Sequence, residues 1–235
     1  AGDDSIDTGT GAAAVDGGAG TDIWRAELSA ANQGGALNLN LAGVQSFLGG
    51  SVANIEQIDL KTGGGADTIT TAIGAAHGLG DTLNTGGGSD VVKVGGGADY
   101  VDMGAGNDTL IVDFSWSADG FFTADEGGGL VAIRNGGNTQ QVQYVGVETF
   151  NITTSSGNDN IVTGAGADTI STGLGDDCIQ AGGGANILTA GGGIDWLVAD
   201  YHASTQALKL DLNLSTVQNF FGGTVQGFEK VSLTT

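Results

Sequence analysis

The sequence predicts an all-β chain folded as a right-handed parallel solenoid, a β-roll or β-helix. Three observations carry that expectation. A nine-residue unit recurs in register, each unit sets one apolar residue between variable ones, and glycine supplies 46 of the 235 residues while proline is absent. Average globular chains hold roughly 7% glycine and 5% proline. Collagen is excluded, because it needs proline and an unbroken three-residue glycine period. A flexible glycine linker is excluded too, since 40% of the residues are hydrophobic.

The unit is plainest from Thr163, where TGAGADTIS, TGLGDDCIQ, AGGGANILT and AGGGIDWLV follow one another. Each carries glycine at its second and fourth positions, Asp or Asn at the sixth and an aliphatic residue at the eighth. A weaker unit, TSSGNDNIV, precedes them from Thr154. The same frame fits TGGGADTIT from Thr62, and TGGGSDVVK, VGGGADYVD and MGAGNDTLI from Thr85 to Ile111. It also fits TGTGAAAVD and GGAGTDIWR from Thr8 to Arg25. The units gather in blocks at 2–25, 62–111 and 154–198, with spacers at 26–61, 112–153 and 199–235. The spacers end alike, in Ile55-Glu56-Gln57-Ile58, Val147-Glu148-Thr149-Phe150 and Phe228-Glu229-Lys230-Val231. Together they form one elongated repeat domain over 1–235. The chain opens inside a unit, at Ala1-Gly2-Asp3-Asp4, so it is expected to be a segment of a longer protein.

A strand alternates its faces with period two, so the apolar eighth residue marks a short strand with one side buried. The glycines before it allow positive φ and close backbone approach in a turn. Two units make an 18-residue coil of two strands and two turns, and coils stack at about 4.8 Å. The predicted core is Ile6, Val15, Trp24, Ile69, Val92, Val101, Leu110, Ile161, Ile170, Ile179, Leu188 and Leu197. It is narrow. Side chains of this size do not by themselves offset the entropy of ordering so much glycine.

The missing stabilisation is expected in the turns. The sixth position holds Asp4, Asp22, Asp67, Asp81, Asp90, Asp99, Asp108, Asp159, Asp168, Asp177 and Asp195, half of the 22 aspartates. Stacking turns these into rows of like charge, which repel unless a cation sits between them. Carboxylates and turn carbonyls are hard oxygen donors and suit Ca²⁺, which accepts 6–8 oxygens in irregular geometry. Magnesium asks for stricter octahedral order. Zinc is poorly served by two histidines and one cysteine.

The frame G-G-x-G-x-D-x-U-x, with U apolar, resembles the RTX, or haemolysin-type, calcium-binding nonapeptide-repeat family. That resemblance implies a parallel β-roll, calcium bound between successive turns on one edge, and type I export from Gram-negative bacteria. Alternate units then share an edge. This pairs Asp4 with Asp22, Asp67 with Asp90, Asp90 with Asp108, Asp81 with Asp99, Asp159 with Asp177, and Asp177 with Asp195. Ala13 and Asn186 depart from the pattern, so the Ala13 edge is expected to be empty and the Asp168/Asn186 site weak. The stretch around Asp81 is irregular, running 14 residues from Thr71 to Asn84.

Charge and motifs narrow the function. Six basic residues against 27 acidic ones leave −21 formally, which disfavours nucleic acid and anionic membrane surfaces. No stretch of about 18 apolar residues suggests membrane insertion. No H-E-x-x-H, G-x-S-x-G or C-x-x-C motif is present, so no enzyme is expected. His77, His202 and Cys178 receive no role. The aromatic segments Gln45-Ser46-Phe47-Leu48, Phe121-Phe122 and Asn219-Phe220-Phe221 are expected to cover the core, with a partner surface as the alternative. For Glu56, Glu148 and Glu229, a bond to a turn backbone and an outward bulge both stay open. Two functions remain. One is a calcium-dependent structural module of a large secreted bacterial surface protein, adhesin or S-layer, with calcium, self-association or a cell-surface partner. The other is the folding and secretion module of a secreted hydrolase, epimerase or toxin whose active site lies elsewhere.

Overall fold

An Asp followed two residues later by an inward apolar side chain starts a strand at the residue between them. The computed structural model describes residues 1–73, 79–117, 121–124, 129–135, 138–200 and 209–234, and among these every regular element is a strand. His77, Tyr201 and His202 lie outside the described residues, as do the side chains of Phe121 and Phe122. Among the described residues, no helix is long and apolar enough to cross a membrane. Contacts divide the chain into two compact units, Ala1–Ile111 with Gln141–Val147, and Val112–Gln140 with Glu148–Thr235.

In the first unit, Ser5–Thr10, Ile23–Glu27, Gln57–Lys61, Thr82–Asn84 and Ala98–Asp102 pair in parallel along one face. Along another run Ala36–Asn38, Thr68–Ile73 and Val91–Gly95, also parallel. In the second unit, one face is built from Asn160–Val162, Cys178–Gln180, Trp196–Asp200 and Lys230–Thr234. The other holds Thr149–Thr153, Thr169–Leu174, Ile187–Gly192 and Gly223–Gln226. Each unit is a parallel β-roll, as the repeat predicts.

Register follows the nonapeptide pair. Ile161 lies against Ile179 and Ile179 against Leu197, while Ile170 lies against Leu188. These stacked residues form the core, each at most 2% exposed. Burying one such side chain stabilises the fold by about 1.5–3 kcal/mol. Leu83, two residues after Asp81, joins them with no exposure. Ile6, on the outermost strand of the first unit, is only half-buried.

The first and third spacers fold into the same device. Gln45–Phe47 pairs antiparallel with Gly50–Ala53, and Gln218–Phe220 with Gly223–Gln226. The second strand of each hairpin rejoins the roll, placing Val52 beside Val15 and Val225 beside Leu188. Gln45 anchors the first hairpin by accepting from the Asn38 amide at 2.9 Å and donating to its carbonyl at 2.8 Å. Gln218 makes the same two bonds to Asp211, both at 2.8 Å. Phe47 and Phe220 are buried, and Phe47 meets Trp24 edge-on at 6.1 Å. The aromatics therefore close the core, as expected, where the roll's own side chains are too small to do so.

Glycines are demanded by the closeness of the coils. A Cβ at Gly184, where φ is +102°, would lie 2.0 Å from the Gly166 carbonyl oxygen one coil below. At the adjacent Gly183 the nearest atom would be the Ala165 Cβ at 4.0 Å. Gly184→Ala should therefore destabilise the calcium-saturated chain by about 2 kcal/mol or more, and Gly183→Ala by no more than about 0.5 kcal/mol. Urea unfolding of the two variants beside the unaltered chain measures both.

Candidate metal centre

The turn-to-strand junction leaves main-chain groups to be satisfied between coils. The carbonyls of most sixth-position residues accept from an amide at the start of the strand above, as Asp159 does from Cys178 and Asp177 from Trp196, both at 2.8 Å. The amide of the same residue points at the next carboxylate. Asp4 N–H donates to Asp22 Oδ1 at 2.8 Å, Asp67 to Asp90 at 2.8 Å, Asp90 to Asp108 at 2.8 Å and Asp81 to Asp99 at 2.9 Å. Asp159 donates to Asp177 at 2.8 Å and Asp177 to Asp195 at 2.9 Å. The structure thus brings together all six carboxylate pairs that the repeat spacing juxtaposes. Asp4 alone of the eleven is exposed, and the other ten are at most 3% exposed.

This bond uses one carboxylate oxygen and leaves the other to be satisfied separately. In Asp22, Asp90, Asp99, Asp177 and Asp195 that second oxygen, Oδ2, is buried and meets no hydrogen-bond donor among the described residues. A buried carboxylate oxygen without a partner is expensive. Thr154 shows one local remedy, donating its hydroxyl to Asp159 Oδ2 at 2.6 Å.

Asn186 shows what the turn offers at that point. Like an Asp, it accepts the amide of the residue one coil below, Asp168, on Oδ1 at 2.9 Å. Its remaining atom is a donor, Nδ2, which reaches the carbonyls of Gly182 at 3.2 Å and Gly183 at 3.4 Å. Asn186 satisfies with its own N–H bonds what an Asp would face as oxygen against oxygen. An acceptor set of carboxylate Oδ2 and turn carbonyls fits a hard cation, and calcium best. Among the described residues, no three His, Cys, Asp or Glu side chains gather into a cage, so a cation here would lean on paired carboxylates and main-chain oxygens. Ala13, which replaces Asp in the first block, supplies no carboxylate and uses its carbonyl to accept from Ser51 N–H at 2.8 Å.

Rows begin and end in ways the repeat does not show. Three rows start on a plain main-chain amide, from Gly35 to Asp67 at 2.6 Å, Ile58 to Asp81 at 2.8 Å and Phe150 to Asp168 at 2.8 Å. Two end on glutamate, with Asp22 N–H donating to Glu56 Oε2 at 2.9 Å and Asp195 N–H to Glu229 Oε2 at 2.8 Å. Of the two open readings for these glutamates, the bond to a turn backbone holds for Glu56 and Glu229. A sequence signal existed. Glu56-Gln57-Ile58 and Glu229-Lys230-Val231 repeat the carboxylate-x-apolar spacing of the sixth to eighth positions.

Burial pushes the Asp81 carboxyl up to about 7 and the Asp99 carboxyl up to about 8. It also raises Asp67, Asp168 and Asp195, and at Asp195 the neighbouring charges of Asp177, Glu229 and Asp176 push the same way. A folded-state pKa above the unfolded value of about 3.9 means that the folded chain holds the proton more tightly. In the metal-free chain that stability is full below about 3.9 and is lost as pH rises through about 7 and about 8. In chelator, the strand signal measured by circular dichroism should therefore be larger at about pH 5 than at about pH 8.5. The opposite order would contradict these shifts.

Residues 78–110, 153–188 and 166–197 match the family model of the RTX calcium-binding nonapeptide repeat, in four copies. The matched segments contain Asp81, Asp90, Asp99, Asp108, Asp159, Asp168, Asp177 and Asp195, while the block at 2–25 lies outside them. No curated protein matches the chain as a relative.

Proposed function

We propose that this chain, parts of which match the RTX calcium-binding nonapeptide repeat, is a calcium-set structural module of a large secreted bacterial surface protein of adhesin or S-layer type. The observation that carries this reading is the row of buried Oδ2 atoms at Asp22, Asp90, Asp99, Asp177 and Asp195, which meet no donor among the described residues. Calcium binds between Asp4 and Asp22, Asp67 and Asp90, Asp90 and Asp108, Asp81 and Asp99, Asp159 and Asp177, and Asp177 and Asp195. Asp168, opposite the amide of Asn186, binds weakly. At low calcium the carboxylates repel and the glycine-rich chain stays loose, a state suited to threading through an export channel. Millimolar calcium outside the cell neutralises the rows, and the roll sets.

Circular dichroism in chelator and then at about 1 mM calcium tests the proposal at neutral pH. Strand signal should be largely absent in chelator and should return on adding calcium. A strand spectrum unchanged by chelator would refute calcium-coupled folding. Light scattering on the same samples separates the two biological settings. A surface-layer or adhesin module is expected to self-associate when calcium is added, whereas a folding module of a secreted hydrolase, epimerase or toxin stays monomeric.

A further inference from the structure

The two glutamates that end the carboxylate rows lie in spacers, outside the nonapeptide frame. Their geometry is the same in both units. Asp22 N–H donates to Glu56 Oε2 at 2.9 Å, and Asp195 N–H donates to Glu229 Oε2 at 2.8 Å, each across 34 residues instead of 18. The glutamates thus take the place that an aspartate Oδ1 holds at the six aspartate steps and Asn186 Oδ1 holds above Asp168. The aspartates whose amides they accept are demanding neighbours. Asp22 and Asp195 have no exposure, and the Oδ2 of each lacks a donor among the described residues.

Glutamate, and not aspartate, suits this step for a local reason. Between aspartate coils only the residue after the carboxylate donates to the carbonyl below, as Trp196 does to Asp177. Here two successive amides do so. Glu56 and Gln57 both donate to the Asp22 carbonyl at 3.1 Å, and Glu229 and Lys230 donate to the Asp195 carbonyl at 3.1 and 2.9 Å. The shared carbonyl alters the approach of the main chain, and the extra methylene carries the carboxylate onto the Asp amide. The row also stops there in the first unit, because Asp81 takes its amide from Ile58, two residues past Glu56.

We infer that Glu56 and Glu229 are calcium ligands, each closing a row by sharing an ion with Asp22 and with Asp195 respectively. The inference rests on the calcium reading above and adds two ions to the six aspartate pairs.

Glu56→Gln and Glu229→Gln isolate the point. Glutamine keeps an oxygen for the Asp amide but turns a donor toward the cation position, the arrangement already present at Asn186. Calcium titration of the full chain by calorimetry should show one ion fewer in each variant and two fewer in the double variant, with the calcium-bound strand spectrum kept. Unchanged stoichiometry in a wild-type chain that binds calcium would overturn the inference alone. A wild-type chain that binds none would instead overturn the reading beneath it. Should a glutamine variant fail to reach the calcium-bound spectrum, Glu56→Asp and Glu229→Asp decide, since they keep the charge and only shorten its reach. Binding of one ion weakened about tenfold or more supports the inference, and wild-type binding of every ion overturns it.

Discussion

The structure depends on a single step between coils, the hydrogen bond from a sixth-position amide to the carboxylate Oδ1 of the next coil. From Asp159 to Asp177 and from Asp177 to Asp195 it repeats at 2.8 and 2.9 Å across 18 residues. That step makes the turn edge as regular as the strand ladder, so both edges of a coil are tied to the next. It also determines where the other oxygen goes. With Oδ1 engaged, Oδ2 of Asp177 and of Asp195 is left buried without a donor among the described residues. The same interaction that holds the coils in register creates an anionic row that the fold, left to itself, does not stabilise.

Asn186 and Glu229 mark two exits from that conflict within one unit. The amide of Asn186 supplies its own donors to Gly182 and Gly183, which neutralises the turn at the cost of a site. Glu229 instead continues the charge, reaching across a hairpin-bearing coil to meet Asp195. The chemistry of the turn thus changes residue by residue along one scaffold. The formal charge of −21 belongs to the chain without its ions. Each bound calcium would return two positive charges to a row where burial already raises carboxyls such as Asp99.

Much of this was legible in the sequence because the repeat encodes it locally. Nine-residue spacing places Ile161, Ile179 and Leu197 in one stack and Asp159, Asp177 and Asp195 in one row, and no long-range information is needed. What escaped depends on contacts between distant segments or on unusual local chemistry. The hairpin turns use Leu48-Gly49 and Phe221-Gly222, with φ of 45° and 84°, and of 46° and 90°. A two-residue turn with positive φ at both positions favours Asn-Gly or Asp-Gly, so a leucine or phenylalanine there carries no turn signal. The roles of Glu56 and Glu229 were left open because strand parity alone does not distinguish a carboxylate on a turn amide from one on a bulge. Their spacing to Ile58 and Val231 held the clue, but only the 34-residue register shows which amides they meet.

The donorless carboxylate oxygens should face cations in the working molecule. Anomalous scattering from crystals grown with terbium(III) in place of calcium tests it directly. Peaks are expected about 2.4 Å from Oδ2 of Asp22, Asp90, Asp99, Asp177 and Asp195, and at most a weak one in the Asn186 turn. Contradiction would be a saturated crystal in which those oxygens hydrogen-bond to water or to protonated neighbours and no peak lies within reach of them.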